Sequence, residues 1–377
     1  MNNRFKEYIK QRLQSEDNEI QNSFNHNIQH LNFCSSDYLS LSKSSEIANR
    51  TKSLMEQYGL GYTSMFYGSG EHAVHSDLAQ TISNFFGTEE TLIYAADGSL
   101  FEPLFDQEDA IITDELTHIN LTGNIRFCNA ARYTYKHSNM RDLENQLMLS
   151  QAQRFRIIAT DGLFAVDGDI AKLDEICTLA ERYNALVLVD ESHSAGVIGH
   201  NGKGAAEHCN VMEKIDLFTG TFDKALGGTT GGYISGDRSV IEFLRKKAQP
   251  YLLLNTLPPA QCCTTIAVIK HIEQNRESRE ALWENCAYFR EQLRNAGFKL
   301  KQSGPAICTI MTFDTMLTRA LISLLEHEGI YARAFCHPIV PKGQARIRFQ
   351  LSSQYTRKEL DRALLSIIEH GRAAGII

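Results

Sequence analysis

From about residue 90 onward, short apolar runs alternate with helical patterns, and this alternation limits the fold more than any other feature of the chain. The runs are "TLIYAA", "DAIITDE", "ARYTYKH", "FRIIATDG", "ALVLVDES", "DLFTGTF" and "GGYISG". Helical periodicity falls between several of them, as in "LDEICTLAERYN" and "SVIEFLRKKA". Such a series predicts a mostly parallel sheet with helices on both faces. "ALVLV" is apolar at every position, as a central strand buried on both sides requires.

Either side of this region the pattern differs. Residues 3–15, 45–58 and 74–86 read as amphipathic helices. After residue 258 a long helical stretch covers about 259–296. "FKLKQS", "AICTIMTF", "IYARAF" and "ARIRFQLS" then read as strands, with helices near 315–328 and 357–372. The expected organisation is an N-terminal helix and arm (1–44), a large α/β domain (45–258) and a smaller α+β C-terminal domain (259–377). Seven prolines and no low-complexity linker or internal repeat predict that the two domains pack closely.

Composition excludes several classes. Hydrophobic content of 43%, charged content of 22% and a net charge of −7 fit a globular protein and argue against a nucleic-acid partner. No apolar run approaches membrane-spanning length, and "MNNRFKEYIKQRLQSEDNEIQ" lacks the apolar core of a signal peptide. A cytoplasmic location is expected. The nine cysteines are scattered, without a CxxC, and read as small residues in a reducing compartment.

In an open α/β sheet, ligands bind beyond the carboxyl ends of the strands. "ALVLVDESH" ends on Asp190, with His193 three residues on. "DLFTGTFDK" ends near Thr221, with Lys224 three residues on, and "DAIITDELTH" runs out to His118. Each residue alone reads as strand-end punctuation. Together they form a chemical set. A lysine among small residues has room to form a Schiff base. An aspartate at a strand end can hold a protonated pyridine nitrogen, a histidine can stack on the ring or bond its oxygen, and Thr221 with nearby amides can hold phosphate. Arg346 and Arg348, two apart in "PKGQARIRFQLS", share a strand face and offer a fork for a carboxylate.

Rival patterns are thinner. "GSGEHA" (68–73) matches a loose dinucleotide pattern but lacks the strand–turn–helix unit that would support a dehydrogenase. His118, His193 and Asp190 lack metal-ligand spacing. No GxSxG or GxxxxGK[ST] motif occurs.

The motif set "LNFCSSDYLSLS", "DESHSAGVIGHNGKG", "TGTFDKALGGTTGGY", "LNTLPPA" and "PKGQARIR" resembles the α-oxoamine synthases, from about residue 31 to the C-terminus. These are fold-type-I pyridoxal phosphate transferases that condense a small amino acid with an acyl-coenzyme A thioester. The resemblance implies that Lys224 carries the cofactor and later moves protons at the substrate α-carbon. Asp190 would pair with the ring nitrogen, His193 would bond the phenolic oxygen, and His118 would stack on the ring. Thr221, Ala96 and Asp97 would border the phosphate, and Thr256 would reach the phosphate of a second subunit in a homodimer. Arg348, rather than Arg346, matches the arginine that takes the substrate carboxylate. "ATDGLFAVDGDIAKL" and "IVPKGQARIRFQ" favour the branch using glycine and acetyl-coenzyme A over the one using alanine and a pimeloyl thioester, which "SGEHAVH" resembles.

The departures are local. The turn in "YAADGSLFEP" is a few residues short. Ser36 replaces an asparagine that helps hold the carboxylate, Ala165 replaces a serine near the cofactor, and Phe66 or Met65 stands where an arginine is common. These changes also suggest a non-catalytic regulatory relative, against which the retained Lys224, Asp190 and His193 argue.

Overall fold

The computed structural model describes residues 6–8, 10, 30–62, 72–96, 99–302 and 304–377. Most of the expected N-terminal helix, Met65, Phe66, most of "GSGEHA" and Asp97 lie outside these residues.

The strands are β1 (Leu31–Asn32), β2 (Glu90–Tyr94), β3 (Ala110–Asp114), β4 (Ala131–Tyr135), β5 (Arg156–Asp161), β6 (Leu186–Asp190), β7 (Leu217–Thr221), β8 (Gly232–Gly236), β9 (Ile307–Phe313), β10 (Ile330–Tyr331), β11 (Arg333–Phe335) and β12 (Ala345–Gln350). A seven-stranded sheet runs in the order β2-β8-β7-β6-β5-β3-β4. Its β3, β4, β5, β6 and β7 pair in parallel, and β8 runs antiparallel to both β7 and β2.

Burial on both faces follows from the two-residue repeat of a strand. Ile158, Val187, Val189 and Phe218 face one apolar layer, with Leu173, Ile176 and Ala180 of helix Leu173–Tyr183 and with Leu78 and Ile82 of helix Ala73–Phe86. Ile157, Ala159, Leu188, Leu217 and Ile234 face the other, with Leu121 and Ile125 of helix Ile119–Ile125 and with Ile241 and Leu244 of helix Arg238–Lys247. An unbroken apolar run such as Val187–Val189 therefore feeds two cores at once. Each such side chain contributes about 1.5–3 kcal/mol on burial.

Because β8 reverses direction, β7 reaches it through a closed loop rather than a crossover helix. The loop is held by Phe222 N–H donating to Gly231 O (2.9 Å), Thr229 N–H to Phe222 O (3.0 Å) and Gly228 N–H to Lys224 O (3.2 Å). Gly227, Gly228 and Gly231 all take positive φ there. This loop fixes Lys224 at the carboxyl edge of the sheet.

Toward the C-terminus, β11-β12-β9 form an antiparallel sheet. β1 pairs in parallel with β10, and Gln350 N–H donates to Phe33 O at 2.9 Å, so the segment after residue 30 is bound to this layer. Among the described residues, "FKLKQS" contributes an isolated bridge, Leu300 to Ile310, rather than a strand. The long helical stretch divides into Pro259–Gln274 and Glu277–Ala296. Arg279 fastens the joint, donating to Ile272 O (2.7 Å), Asn275 O (3.2 Å) and His200 O (3.1 Å). No described helix is long and apolar enough to cross a membrane. The cysteines are unpaired, and Cys128, Cys177, Cys262, Cys263, Cys286 and Cys308 are buried.

Candidate active site

The parallel register brings three strand ends together. Asp161 of β5 lies opposite Asp190 of β6, and Asp190 lies opposite Thr219 of β7. Asp190 Oδ1 accepts from Ser192 N–H at 2.8 Å, and Ser192 Oγ accepts from Thr221 N–H at 3.1 Å. One serine thus ties the β6 end to the β7 end. Beyond it, Asp223 gathers two of the expected groups. Its carboxylate accepts from the Thr221 hydroxyl and, at 2.6 Å, from Lys224 Nζ.

His193 and His118 stand beside this group. Their ring centroids are 6.2 Å apart with planes at 67°. His118 caps helix Ile119–Ile125, its Nδ1 accepting from Asn120 N–H at 3.2 Å, and its own N–H donates to Asp161 Oδ2 at 2.8 Å. Burial holds the His118 imidazole below its ordinary pKa, reinforced by the charges of Lys224 and Arg348. His193 is pushed well below its ordinary value by burial, then by Lys224, Arg348 and His118. Both rings are neutral at pH 7. Burial, and then the charge of Asp190, push the Asp161 carboxyl well above its ordinary value.

The two arginines of β12 have different surroundings. Arg346 is ion-paired with buried Asp167, which also holds Lys301 Nζ at 3.0 Å. Arg348 donates from Nη1 to Ala165 O at 2.6 Å and lies over the Phe335 ring at 5.1 Å. Its Nε is buried without a hydrogen-bond partner, and among the described residues it forms no ion pair. Burial lowers its pKa from the ordinary arginine value. A part-buried guanidinium with no carboxylate partner among the described residues is the group that a carboxylate ligand would satisfy. Ser36 Oγ accepts from Gln350 Nε2 at 2.9 Å.

Lys224, Asp190, His193, His118 and Thr221 are thus brought to one edge of the sheet, and Arg348 acts electrostatically on both histidines. Ala96 lies exposed in the turn after β2. The Thr256 hydroxyl is buried without a hydrogen-bond partner, and its neighbour Leu257 sits against Gly231 at the start of β8. An amine on a glycine-bearing loop, a buried carboxylate, neutral imidazoles and an unpaired guanidinium form a donor set that fits pyridoxal phosphate and an amino acid. Thr221, currently bonded to Asp223, would turn to the phosphate.

Sequence reasoning overlooked Tyr38, Asp161, Ser192, Asp223 and Gln350. Asp161 carried a usable signal, since "FRIIATDG" ends in an acid just as "ALVLVDES" does. Tyr38 and Gln350 carried none, for they meet across nearly the whole chain. Tyr38 O–H bonds His193 Nδ1 at 2.9 Å and accepts from Gln350 Nε2 at 2.7 Å.

His137, Asp167 and Asp169 also cluster, at a cavity of about 440 Å³ lined in addition by Lys172, His208 and Lys301. His137 bonds Asp114 at 3.0 Å and Asp169 at 2.9 Å. Burial opposes its charge, but the two carboxylates prevail and push its pKa up to about 10. With Arg346 and Lys301 on Asp167, the carboxylates are already met by cations.

Comparisons with known proteins show the family and the fold. Residues 28–367 match the family model described as aminotransferase class I and II. The chain is 41% identical over 353 residues to the 2-amino-3-ketobutyrate coenzyme A ligase of Salmonella typhimurium, covering 92% of this chain and 89% of that protein. It is 35% identical over 351 residues to the 8-amino-7-oxononanoate synthase of Thermosipho melanesiensis, covering 92% and 90%. The solved serine palmitoyltransferase of Sphingomonas wittichii matches the fold with a TM-score of 0.91 at 24% identity, over 99% of this chain and 98% of that one.

Proposed function

The chain belongs to the aminotransferase class I and II family and, within it, to the α-oxoamine synthases, and we propose that it joins glycine to the acetyl group of acetyl-coenzyme A. It is a pyridoxal phosphate-dependent acyltransferase. Its products are 2-amino-3-oxobutyrate and free coenzyme A. The observation that carries this reading is the joining of Asp190, Thr221 and Lys224 through Ser192 and Asp223 at the strand ends, with His193 and His118 among the same loops.

Bound pyridoxal phosphate supplies an electron sink for charge that develops at the amino-acid α-carbon. The rest is work for this chain's side chains. Arg348 takes the substrate carboxylate, which satisfies the unpartnered Nε and orients the α-carbon. Lys224 Nζ removes the α-proton and returns a proton after the new carbon–carbon bond forms. Asp190 would keep a proton on the ring nitrogen, and the buried strand end would exclude water that would screen this pair. His193 would bond the phenolic oxygen, and His118 would stack on the ring. Thr221 would hold the phosphate. Thr256, whose hydroxyl has no hydrogen-bond partner in one chain, would reach the phosphate of a second copy in a homodimer. The unpaired thiols fit a cytoplasmic location.

Two assays test the reading. Free thiol is followed with glycine plus acetyl-coenzyme A, and with alanine plus a pimeloyl thioester. Release with the first pair alone is expected, and release with the second alone would move the chain to the biotin-type reaction. The visible band retained after excess pyridoxal phosphate is removed, compared with Lys224→Ala, separates loss of cofactor from a wrong substrate.

A further inference from the structure

The hydrogen bonds behind His193 run in one direction. Gln350, 1% exposed, offers its amide N–H groups to Ser36 Oγ at 2.9 Å and Tyr38 O at 2.7 Å. Its Oε1 is buried with no hydrogen-bond partner. Turning the amide over would leave two donors unmet in place of one acceptor, which costs more. Tyr38 has a single proton, and burial keeps its phenol protonated. Its oxygen has two lone pairs, one facing Gln350 and one within reach of the Ser36 hydroxyl, so the proton goes to His193 Nδ1, 2.9 Å away. His193 is neutral, because burial and the charges of Lys224, Arg348 and His118 oppose a second proton. A neutral imidazole that accepts at Nδ1 carries its hydrogen on Nε2.

We propose that Gln350 and Tyr38 are positioning residues that lock His193 in the Nε2–H tautomer, making it a hydrogen-bond donor on the side away from Tyr38. That donor is what the cofactor's phenolic oxygen would meet, so the proposal rests on the reading of His193 given above. The Gln350 amide also holds Ser36, and one side chain thereby couples the carboxylate end of the site to the ring end. Neither Gln350 nor Tyr38 touches the reacting atoms.

Imidazole nitrogen NMR on the full-length, ¹⁵N-histidine-labelled protein, with and without pyridoxal phosphate, tests this. A His193→Gln spectrum assigns the signals. In the wild type, His193 Nδ1 is expected unprotonated and Nε2 protonated in both states. Gln350→Glu reverses the chain of donors, because its carboxylate accepts a hydrogen bond from the Tyr38 hydroxyl, whose oxygen then accepts from His193 Nδ1–H. The tautomer ratio is then expected to swing roughly tenfold. Tyr38→Phe, which keeps the buried ring, moves the ratio the same way if the glutamate variant does not fold. A wild-type Nδ1–H tautomer, or an unchanged ratio in a folded variant, overturns the relay. In the loaded protein the pH midpoint of the visible band should move with the tautomer. A moved tautomer with an unmoved band would overturn the donor role toward the cofactor while leaving the substrate assays untouched.

Discussion

Arg346 and Arg348 share one face of β12, yet only Arg346 is paired with a carboxylate, the buried Asp167. The pairing assigns them opposite roles. Arg346→Met takes a cation away from buried Asp167 and is expected to cost about 3 kcal/mol of stability. Arg348→Met removes a desolvated cation that forms no ion pair among the described residues, so its melting temperature should hold. Its kcat/KM for glycine should fall roughly 10- to 100-fold, mostly through KM, as expected for a lost charged hydrogen bond. Thermal melts and steady-state kinetics on both variants check this. A collapse of stability at Arg348 with kinetics intact would reverse the assignment.

Asp223 holds both Thr221 and Lys224, the hydroxyl expected at the phosphate and the amine expected at the cofactor carbon. Its negative charge opposes a phosphate at Thr221, although the side chain is 45% exposed and therefore screened. Asp223→Asn should tighten pyridoxal phosphate binding by up to roughly fivefold. Titration of the visible band gives the dissociation constant, and the gain should shrink in high salt. Weaker binding in the variant would mean that Asp223 orients Lys224 rather than competing with the phosphate.

How much of this was readable beforehand differs by element. Val187, Leu188 and Val189 announced a strand buried on both faces because every position must be apolar there. Asp190, Thr221 and Lys224 followed from strand ends, since a parallel sheet places those ends together. Lys224 and its spacing to Asp190 were legible because a single crossover, through helix Ala205–His208 and β7, separates them, and that returns the chain to the same edge of a parallel sheet. Tyr38 and Gln350 were not, because a contact between a residue near 40 and one near 350 leaves no period in either segment. "IYARAF" read as one strand, yet the run changes partners at Ala332, from β1 to β12. The division at Asn275–Arg276 was also hidden, as helical residues continue on both sides and the break is made by Arg279 from the next helix.

Gly231 is required by its neighbours as well as by its backbone. Its φ is +87°, and an added Cβ would lie 2.5 Å from Tyr94 O and 2.7 Å from Leu257 Cδ2. The backbone oxygen belongs to β2 and cannot yield without breaking the β2–β8 ladder. Gly231→Ala should therefore destabilise by about 2 kcal/mol or more and lower cofactor retention, because this residue closes the Lys224 loop. Gly228→Ala is the comparison: its φ is +64° but a Cβ meets nothing within 4 Å, so only the conformational cost of about 1 kcal/mol remains. Equal losses at the two positions, read by denaturant titration, would refute the steric account.

His137 makes stability depend on alkaline pH. Its folded pKa is pushed up to about 10 from an ordinary 6.5 by Asp114 and Asp169, against the cost of burial. Between those values the folded chain holds a proton that the unfolded chain has lost. The stabilisation is then fully present below pH 6.5 and declines as pH rises toward 10, by up to about 1.4 kcal/mol per unit. His137→Asn removes the titrating imidazole and keeps a polar side chain beside Asp114 and Asp169. Denaturant unfolding of both proteins from pH 6 to pH 10 cancels the lysines, tyrosines and cysteines that titrate in each. The wild-type advantage should be largest at the low end and shrink steadily toward the high end. A difference that stays level across the window would mean that His137 is held as a neutral hydrogen-bonding ring and carries no charge into the cluster.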